Sequence, residues 1–317
     1  MKSPRRAPIL ICLLLTVFCV SAPVVATAEE HEAQKAVLVT GASSGIGRNI
    51  AEKLAANGYF VYAGARKEKD LAELDAMENM KGVRLDVTVQ EEIDAAVELV
   101  RKEGRGLYGV VNNAGVGYSK TFAESNTSDL DFVFGVNVYG PFLVNNAFMP
   151  LLVESQGRTT TIGSIAGFLS GQRFGVYSMS KFAVEAYTEA LAAEVAESGV
   201  QVSVIEPGSY KSRIRETGVL NRLGKSADEL TDEEQTELEQ ARERNAGLKD
   251  PDEVSEAVMH ALFAPEPRRR YMVTPNQEQA DLTVRAAMSR ALQLNSDQPY
   301  SYDRDELVKM LDELLAQ

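Results

Sequence analysis

The stretch KAVLVTGASSGIGRNIA, residues 35–51, decides how this chain folds. Ala36 to Thr40 form an apolar, β-branched run of the kind that suits a strand buried on both faces. Beyond it, IGRNIAEKLAANG (46–58) has the spacing of an amphipathic helix that closes on a glycine. Between the two stand Gly41, Gly45 and Gly47, in the pattern T-G-x-x-x-G-x-G. Gly41 allows a tight turn, and Gly45 lets backbone amides approach a pyrophosphate. The helix N-terminus that follows supplies N–H donors and the positive end of a dipole. Three glycines alone are a weak signal, but a strand before them and a helix after them make the loop a dinucleotide cradle.

The same alternation continues outward from that loop. YFVYAGA (59–65), KGVRLDV (81–87), LYGVVNNAG (107–115), RTTTIGS (158–164), VQVSVIEPG (200–208) and RRYMVT (269–274) read as further strands. Helix-like stretches such as VQEEIDAAVELVRKEG (89–104) and KFAVEAYTEALAAEVAESG (181–199) lie between them. Strand, helix and strand at this spacing give right-handed βαβ units. The expected fold is a single α/β domain over residues 36–275: a Rossmann-like, doubly wound parallel sheet of about seven strands with helices on both faces. Residues 210–250 interrupt the rhythm with SADELTDEEQTELEQARERNAG, either a solvated pair of surface helices or a lid over the active site. Residues 276–317 form a helical C-terminal extension ending in the amphipathic RDELVKMLDELLAQ.

Composition narrows the function. A length of 317 residues with 44% hydrophobic content is enough to bury a sizeable core, and a net charge of −13 argues against nucleic acid, whose phosphates are met by lysine and arginine. Cys12 and Cys19 fall in the apolar N-terminal segment, while His31 and His260 stand far apart, so no metal site is expected. The first 28 residues read as a leader. Lys2, Arg5 and Arg6 precede APILICLLLTVFCVSAPVVATA (7–28), which ends in the small-residue pattern Ala26-Thr27-Ala28. Two readings follow: a cleaved signal peptide and an exported domain (periplasmic, secreted or lumenal), or an uncleaved membrane anchor formed by residues 7–28. Arg5-Arg6 also invites a twin-arginine export reading, with which Ala7-Pro8-Ile9 agree poorly. Asn126-Thr127-Ser128 matches a glycosylation sequon, a pattern short enough to arise by chance.

Seven motifs in fixed order carry a resemblance: TGASSGIG (40–47), LDV (85–87), NNAG (112–115), GVN (135–137), GSIAG (163–167), YSMSK (177–181) and EPG (206–208). Together they make the chain similar to the short-chain dehydrogenase/reductase family, strongly over Ala36 to Ser212 and weakly beyond. GLYGVVNNAG, KFAVEAY and GVQVSVIEPG look most like its branch acting on retinoids and hydroxysteroids. The resemblance implies a nicotinamide cofactor held by Gly41, Ser43, Ser44, Gly45, Ile46 and Gly47. It also implies Asp86 and Val87 flanking the adenine, Asn113, Ala114 and Gly115 on the adenosine side, and Pro207 and Gly208 near the nicotinamide. An Asp or Glu about 20 residues past the glycine loop would bind both ribose hydroxyls and repel a 2′-phosphate. Ala65 and Arg66 stand there instead, which favours NADP over NAD.

Tyr177 and Lys181 stand four residues apart, on one face of a helix. A free tyrosine, with a pKa near 10, is a poor base at neutral pH, and a neighbouring ammonium lowers that value. Tyr177 is therefore the expected acid/base between a carbonyl and an alcohol, and Lys181 its electrostatic partner; the resemblance also places Lys181 on the nicotinamide ribose. Ser164, at a strand end, can donate to the carbonyl oxygen and hold it in place. The resemblance gives Asn137, within the helix-like stretch Asp129 to Leu152, a water-holding role in a proton relay. These residues point to an NADP(H)-dependent oxidoreductase interconverting a carbonyl and an alcohol; the resemblance to the retinoid and hydroxysteroid branch implies a small, lipophilic substrate, with Phe168, Leu169, Phe174 and Tyr210 lining the pocket. The competing reading is a non-catalytic NADP-binding regulatory or scaffold protein on the same fold. The resemblance further implies a homodimer or homotetramer, packed through the helices of Asp129–Leu152 and Gly175–Ser198.

Overall fold

Strand β1 (Ala36–Val39) is buried along its whole length, and its residues alternate between two separate cores. Val37 and Val39 point into one cluster, Ala36 and Leu38 into the other, as the two-residue period of a strand requires. The computed structural model describes Met1 and residues 34–316. Following β1 in chain order are α1 (Gly45–Ala56), β2 (Phe60–Ala65), α2 (Glu68–Asp75), β3 (Met80–Arg84), α3 (Gln90–Glu103) and β4 (Gly109–Asn112). A helical run then passes from α4 (Thr127–Phe134) through a π-helical turn (Gly135–Tyr139) into α5 (Gly140–Ser155). After β5 (Arg158–Ile162) come α6 (Gly175–Glu194), β6 (Gln201–Pro207), α7 (Ile214–Leu223), α8 (Asp232–Ala246), α9 (Asp252–Phe263), β7 (Arg270–Val273), α10 (Gln277–Asn295) and α11 (Arg304–Leu315).

The seven strands are all parallel, in the order β3-β2-β1-β4-β5-β6-β7. Sequence order reverses at β1, whose Val39 lies beside Ala63 of β2 on one side and Val111 of β4 on the other. In doubly wound sheets such a reversal opens the crevice that receives a ligand. One face of the sheet is covered by α1 and α9, through Ile50, Leu54, Val258 and Leu262; the other is covered by α3 and α5, through Ile93, Val100, Phe148 and Leu152. All eight side chains are at most 1% exposed, so truncating one of the largest, Phe148, to alanine would cost about 3–5 kcal/mol. The fold is the α/β class expected from the sequence.

Helix ends follow local chemistry. α3 stops at Gly104, whose φ of 68° lies in the left-handed region that glycine enters without penalty. α4 starts with a capping box in which the Asn126 side chain accepts from the amide of Asp129 while the Asp129 carboxylate accepts from the amide of Asn126. The Asn126 side chain, the first residue of the sequon, is thus engaged as a cap. Residues 1–28, read above as a leader, lie outside the described region apart from Met1, as do Cys12, Cys19 and His31.

Candidate active site

Because every strand runs the same way, the loops that leave their C-terminal ends gather along one edge. The glycine loop follows β1, Arg66 follows β2, Asp86 lies just past β3, Asn113 to Gly115 follow β4, Ser164 follows β5, and Pro207-Gly208 end β6. The sequence-nominated residues come together there.

The glycine loop is shaped by close approach. Gly41 and Gly45 have φ of 66° and 59°. A Cβ on Gly47 would stand 2.2 Å from Asn113 Nδ2 and 2.4 Å from the Gly41 carbonyl oxygen, so only glycine fits. Asn113 reaches into the loop and donates to the carbonyls of Thr40 (3.0 Å) and Gly41 (3.2 Å). In return the Thr40 hydroxyl accepts from the amides of Asn113 and Ala114, each at 3.0 Å. This reciprocal latch ties the loop after β1 to the loop after β4; Thr40 was not singled out in the sequence because a threonine at a strand end is commonplace. Ser44 caps α1 without any side-chain hydrogen bond to the first turn, which leaves those N–H groups for a phosphate. A loop that closes on glycine and a helix start without a side-chain cap fit the pyrophosphate of a nicotinamide dinucleotide.

Ala65 is buried at the end of β2, while Arg66 is exposed and places Nη1 3.3 Å from Asp86 Oδ2. Partial burial would raise the Asp86 carboxyl, but the hydroxyl and amide of Thr88, together with Arg66, hold it below its ordinary value. Val87, the next residue, is 5% exposed and packs against Gly140, where an added Cβ would stand 2.7 Å from it.

Tyr177, Lys181 and Glu185 stand at i, i+4 and i+8 on α6 and share one face. Burial raises the Tyr177 phenol, opposed by a hydrogen bond with Ser164 and the positive charge of Arg215. Lys181 is 6% exposed; its Nζ donates to the Ile162 carbonyl at 2.8 Å and lies 5.8 Å from the Tyr177 ring centroid. Burial lowers this ammonium to about 8, with the charge of Glu185 opposing. The sequence assigned the lowering of the phenol to Lys181; in this structure Ser164 and Arg215 supply it, because the lysine head turns to the end of β5. Ser164 caps a short 3₁₀ turn (Ile165–Gly167), its Oγ accepting from the Ala166 amide at 3.1 Å.

Asn137 is 1% exposed and sits in the π-helical turn, a distortion that often marks functional positions. Its Oδ1 accepts from the Val116 amide (2.8 Å), and its Nδ2 donates to the Val116 carbonyl (3.1 Å) and to Ser180 Oγ (3.0 Å). Ser180 in turn donates to the carbonyl of Tyr177 at 2.7 Å. Asn137 thereby joins the loop after β4 to the first turns of α6.

The segment after β6 folds back over this edge. A Cβ on Gly45 would lie 3.2 Å from Ser212 Cα, and one on Gly117 would lie 2.5 Å from the Ile214 carbonyl. The Ser212 amide donates to Asn245 Oδ1 of α8 (2.9 Å), and Arg215 Nη2 donates to Ser209 Oγ (3.2 Å). From the C-terminal region, Gln279 of α10 accepts from the Ser209 amide at 2.8 Å and packs against Gly208. Arg215 and Gln279 were beyond sequence reasoning, since neither belongs to a motif. Tyr210 does not line the pocket: it is 3% exposed, lies in the core beneath the sheet and hydrogen-bonds with Glu253. Phe122 takes an unforeseen place beside the start of α6, where a Cβ on Gly175 would meet its ring at 2.5 Å.

The family model described as short chain dehydrogenase matches residues 35–222. The mitochondrial D-beta-hydroxybutyrate dehydrogenase of Bos taurus is 33% identical over 264 residues, covering 75% of this chain and 76% of that protein. Retinol dehydrogenase 16 of Homo sapiens is 32% identical over 260 residues, covering 76% and 81%. A short-chain dehydrogenase/reductase from Burkholderia phymatum, solved in complex with NAD, aligns with a TM-score of 0.70 at 26% identity, over 85% of this chain and 98% of that one.

Proposed function

The chain belongs to the short chain dehydrogenase family, and on that premise we propose how it works and on what. Membership makes it a nicotinamide-dependent oxidoreductase that interconverts an alcohol and a carbonyl. We infer that it acts on a lipophilic small molecule with NADP(H) as cofactor. The observation that carries the chemistry is the convergence of the Tyr177 phenol, the Ser164 hydroxyl beside it, and the buried Lys181 at the C-terminal edge of the sheet.

Bound nicotinamide supplies or accepts the hydride; the protein's side chains manage the proton. Ser164 donates to the carbonyl oxygen and holds it, and Tyr177 protonates that oxygen in reduction or removes the proton in oxidation. Lys181 supplies positive charge beside the cofactor's ribose, and Asn137 keeps the loop after β4 in register with α6 at the start of the proton path. The glycine loop from Gly41 to Gly47 holds the pyrophosphate. Arg66, exposed just past Ala65, which stands where a ribose-binding acid would, supports the preference for NADP. Phe168, Leu169, Phe174 and Phe122 offer the apolar surface for a substrate body.

Exposed Phe132, Tyr139, Phe142 and Val153 on the α4–α5 run support a homodimer or homotetramer formed through these helices, which light scattering would test. Export, by cleavage after Ala28 or with residues 7–28 as an anchor, rests on the sequence alone and is read by mass spectrometry of the mature N-terminus. The direct test of function is nicotinamide absorbance with purified protein, NADPH and NADH, and a panel of ketones, aldehydes, 3-oxo acids, retinoids and steroids. Turnover that disappears in Tyr177→Phe supports the mechanism. Tight NADPH binding without turnover on any of the panel favours the binding-only role.

A further inference from the structure

Directly beneath the proposed catalytic face lie three charged side chains that the mechanism above does not use. Glu185 stands one turn beyond Lys181 on α6, Glu206 near the end of β6, and Arg270 at the start of β7. Both glutamates are buried, at 8% and 1% exposure, and one guanidinium serves them both. Arg270 Nε donates to Glu206 Oε1 at 2.7 Å and to Glu185 Oε2 at 3.2 Å, while Nη2 donates to Glu185 Oε2 at 2.9 Å. Glu185 Oε1 is buried without a hydrogen-bond partner. The Glu185 side chain also fills the space above two glycines: its Oε1 lies 3.1 Å from where a Cβ would stand on Gly163 and on Gly167. Those glycines flank the turn that carries Ser164.

We propose that Glu185, backed by Glu206 and Arg270, is a positioning residue for the proton-handling site: its charge keeps the buried Lys181 ammonium protonated, and its side chain braces the turn that presents Ser164. The inference rests on the functional reading given above. Two carboxylates sharing one cation in the interior would repel each other and leave an oxygen bare. A proton on Glu206 removes both difficulties, because the protonated carboxyl can donate to its neighbour. Burial first, and then the adjacent Glu185, raise Glu206 to about 8 against the pull of Arg270, in keeping with that state. The charged and titratable groups bearing on the site are thus Tyr177, Lys181 and Glu185 from α6, Glu206 from β6, Arg270 from β7, and Arg215 from α7, the last acting on Tyr177.

Neutralising the two glutamates should therefore have opposite outcomes, which separates this arrangement from a merely structural ion pair. The experiment compares the full chain with Glu206→Gln, Glu185→Gln and Arg270→Gln, reading both the melting temperature and the pH profile of kcat/KM. Glu206 binds its proton more tightly folded than unfolded between its ordinary 4.5 and about 8. Wild-type stability should accordingly fall as pH rises through that window, and Glu206→Gln should flatten the fall. Lys181, ordinarily at 10.5 and lowered to about 8, binds its proton less tightly when folded, so its contribution recovers as pH rises from about 8. In Glu185→Gln that recovery begins at lower pH. The alkaline limb of kcat/KM moves down with it, by on the order of one pH unit. Glu206→Gln leaves the limb in place.

A wild-type limb in a folded Glu185→Gln protein overturns the inference, as does a Glu206→Gln protein that keeps the wild-type dependence of melting on pH. Should Glu185→Gln fail to fold, Arg270→Gln enters the cluster from its half-exposed side. Without the guanidinium the Glu185 carboxylate loses the bonds that hold it beside Lys181 and the Ser164 turn, so the alkaline limb leaves its wild-type position; an unmoved limb overturns the inference. Turnover that survives Tyr177→Phe sinks the functional reading instead, and the melting data remain interpretable without it.

Discussion

The two halves of the cleft are built from different materials. The half after β1, β2 and β4 works through backbone: glycines at positive φ, an uncapped helix start, and a latch between Thr40 and Asn113. The half after β5 and β6 works through buried charge: Lys181, Glu185 and Glu206 are each under 10% exposed, with Lys181 bonded to the last carbonyl of β5 and the two glutamates to one guanidinium. Backbone geometry tolerates no added atoms but is indifferent to pH. Buried charge tolerates small changes of shape but answers to every proton. The first half should therefore fail by steric substitution, and the second by changes of ionisation.

The largest expected effect is in the second half. Tyr177→Phe should lower kcat by about 10²–10⁴-fold with cofactor affinity little changed, as stopped-flow turnover and a binding titration would read, because it removes the proton donor and little else. In the first half, Gly47→Ala should weaken NADPH binding by on the order of 100-fold in calorimetry, since its methyl meets the Gly41 carbonyl at 2.4 Å and the loop must open. If alanine is silent there, the backbone description of that half is wrong. Arg66→Asp should shift the ratio of NADPH to NADH efficiency about tenfold toward NADH, by exchanging a cation for an acid at the ribose; an unchanged ratio would remove Arg66 from the cofactor site. Smallest is Arg215→Gln. Its positive charge lowers the Tyr177 phenol, so its loss raises the phenol, and the acidic limb of alcohol oxidation, which needs the tyrosinate, moves to higher pH. A limb that stays put would leave Arg215 outside the charged half.

The same contrast explains what could be read in the sequence. Glycines at a strand-to-helix junction are a local pattern, and the hydrophobic runs around them give the sheet. Tyr177 and Lys181 are legible too, because one helix face carries both. Glu185, Glu206 and Arg270 come from α6, β6 and β7 and meet only when those elements are side by side, so no spacing announces them. Tyr210 went astray for a related reason: an aromatic residue just past a strand end can turn either way, and here the carboxylate of Glu253 draws it under the sheet. The charged stretch of residues 210–250 is α7 and α8, tied together by pairs such as Arg242 with Glu216 (3.0 Å) and Lys225 with Glu234 (2.7 Å). Its contact with the glycine loop comes from the uncharged Ser212 ahead of them.

Val133 and Val144 are eleven residues apart, about three whole turns of an α-helix, so an unbroken helix would align them on one stripe. They serve different clusters instead: Val133 packs with Tyr118 and Val176 beside the site, and Val144 with Phe148 against the sheet. The π-helical turn between them accounts for the change of phase, since its one surplus residue rotates everything downstream by roughly 100°. Asn137 rides in that turn and faces the loop after β4. Deleting a single residue from Gly135–Tyr139 would leave the valines ten residues apart in an unbroken helix, the phase they already have, so each would keep its cluster; what would be lost is the bulge that carries Asn137 to the loop after β4.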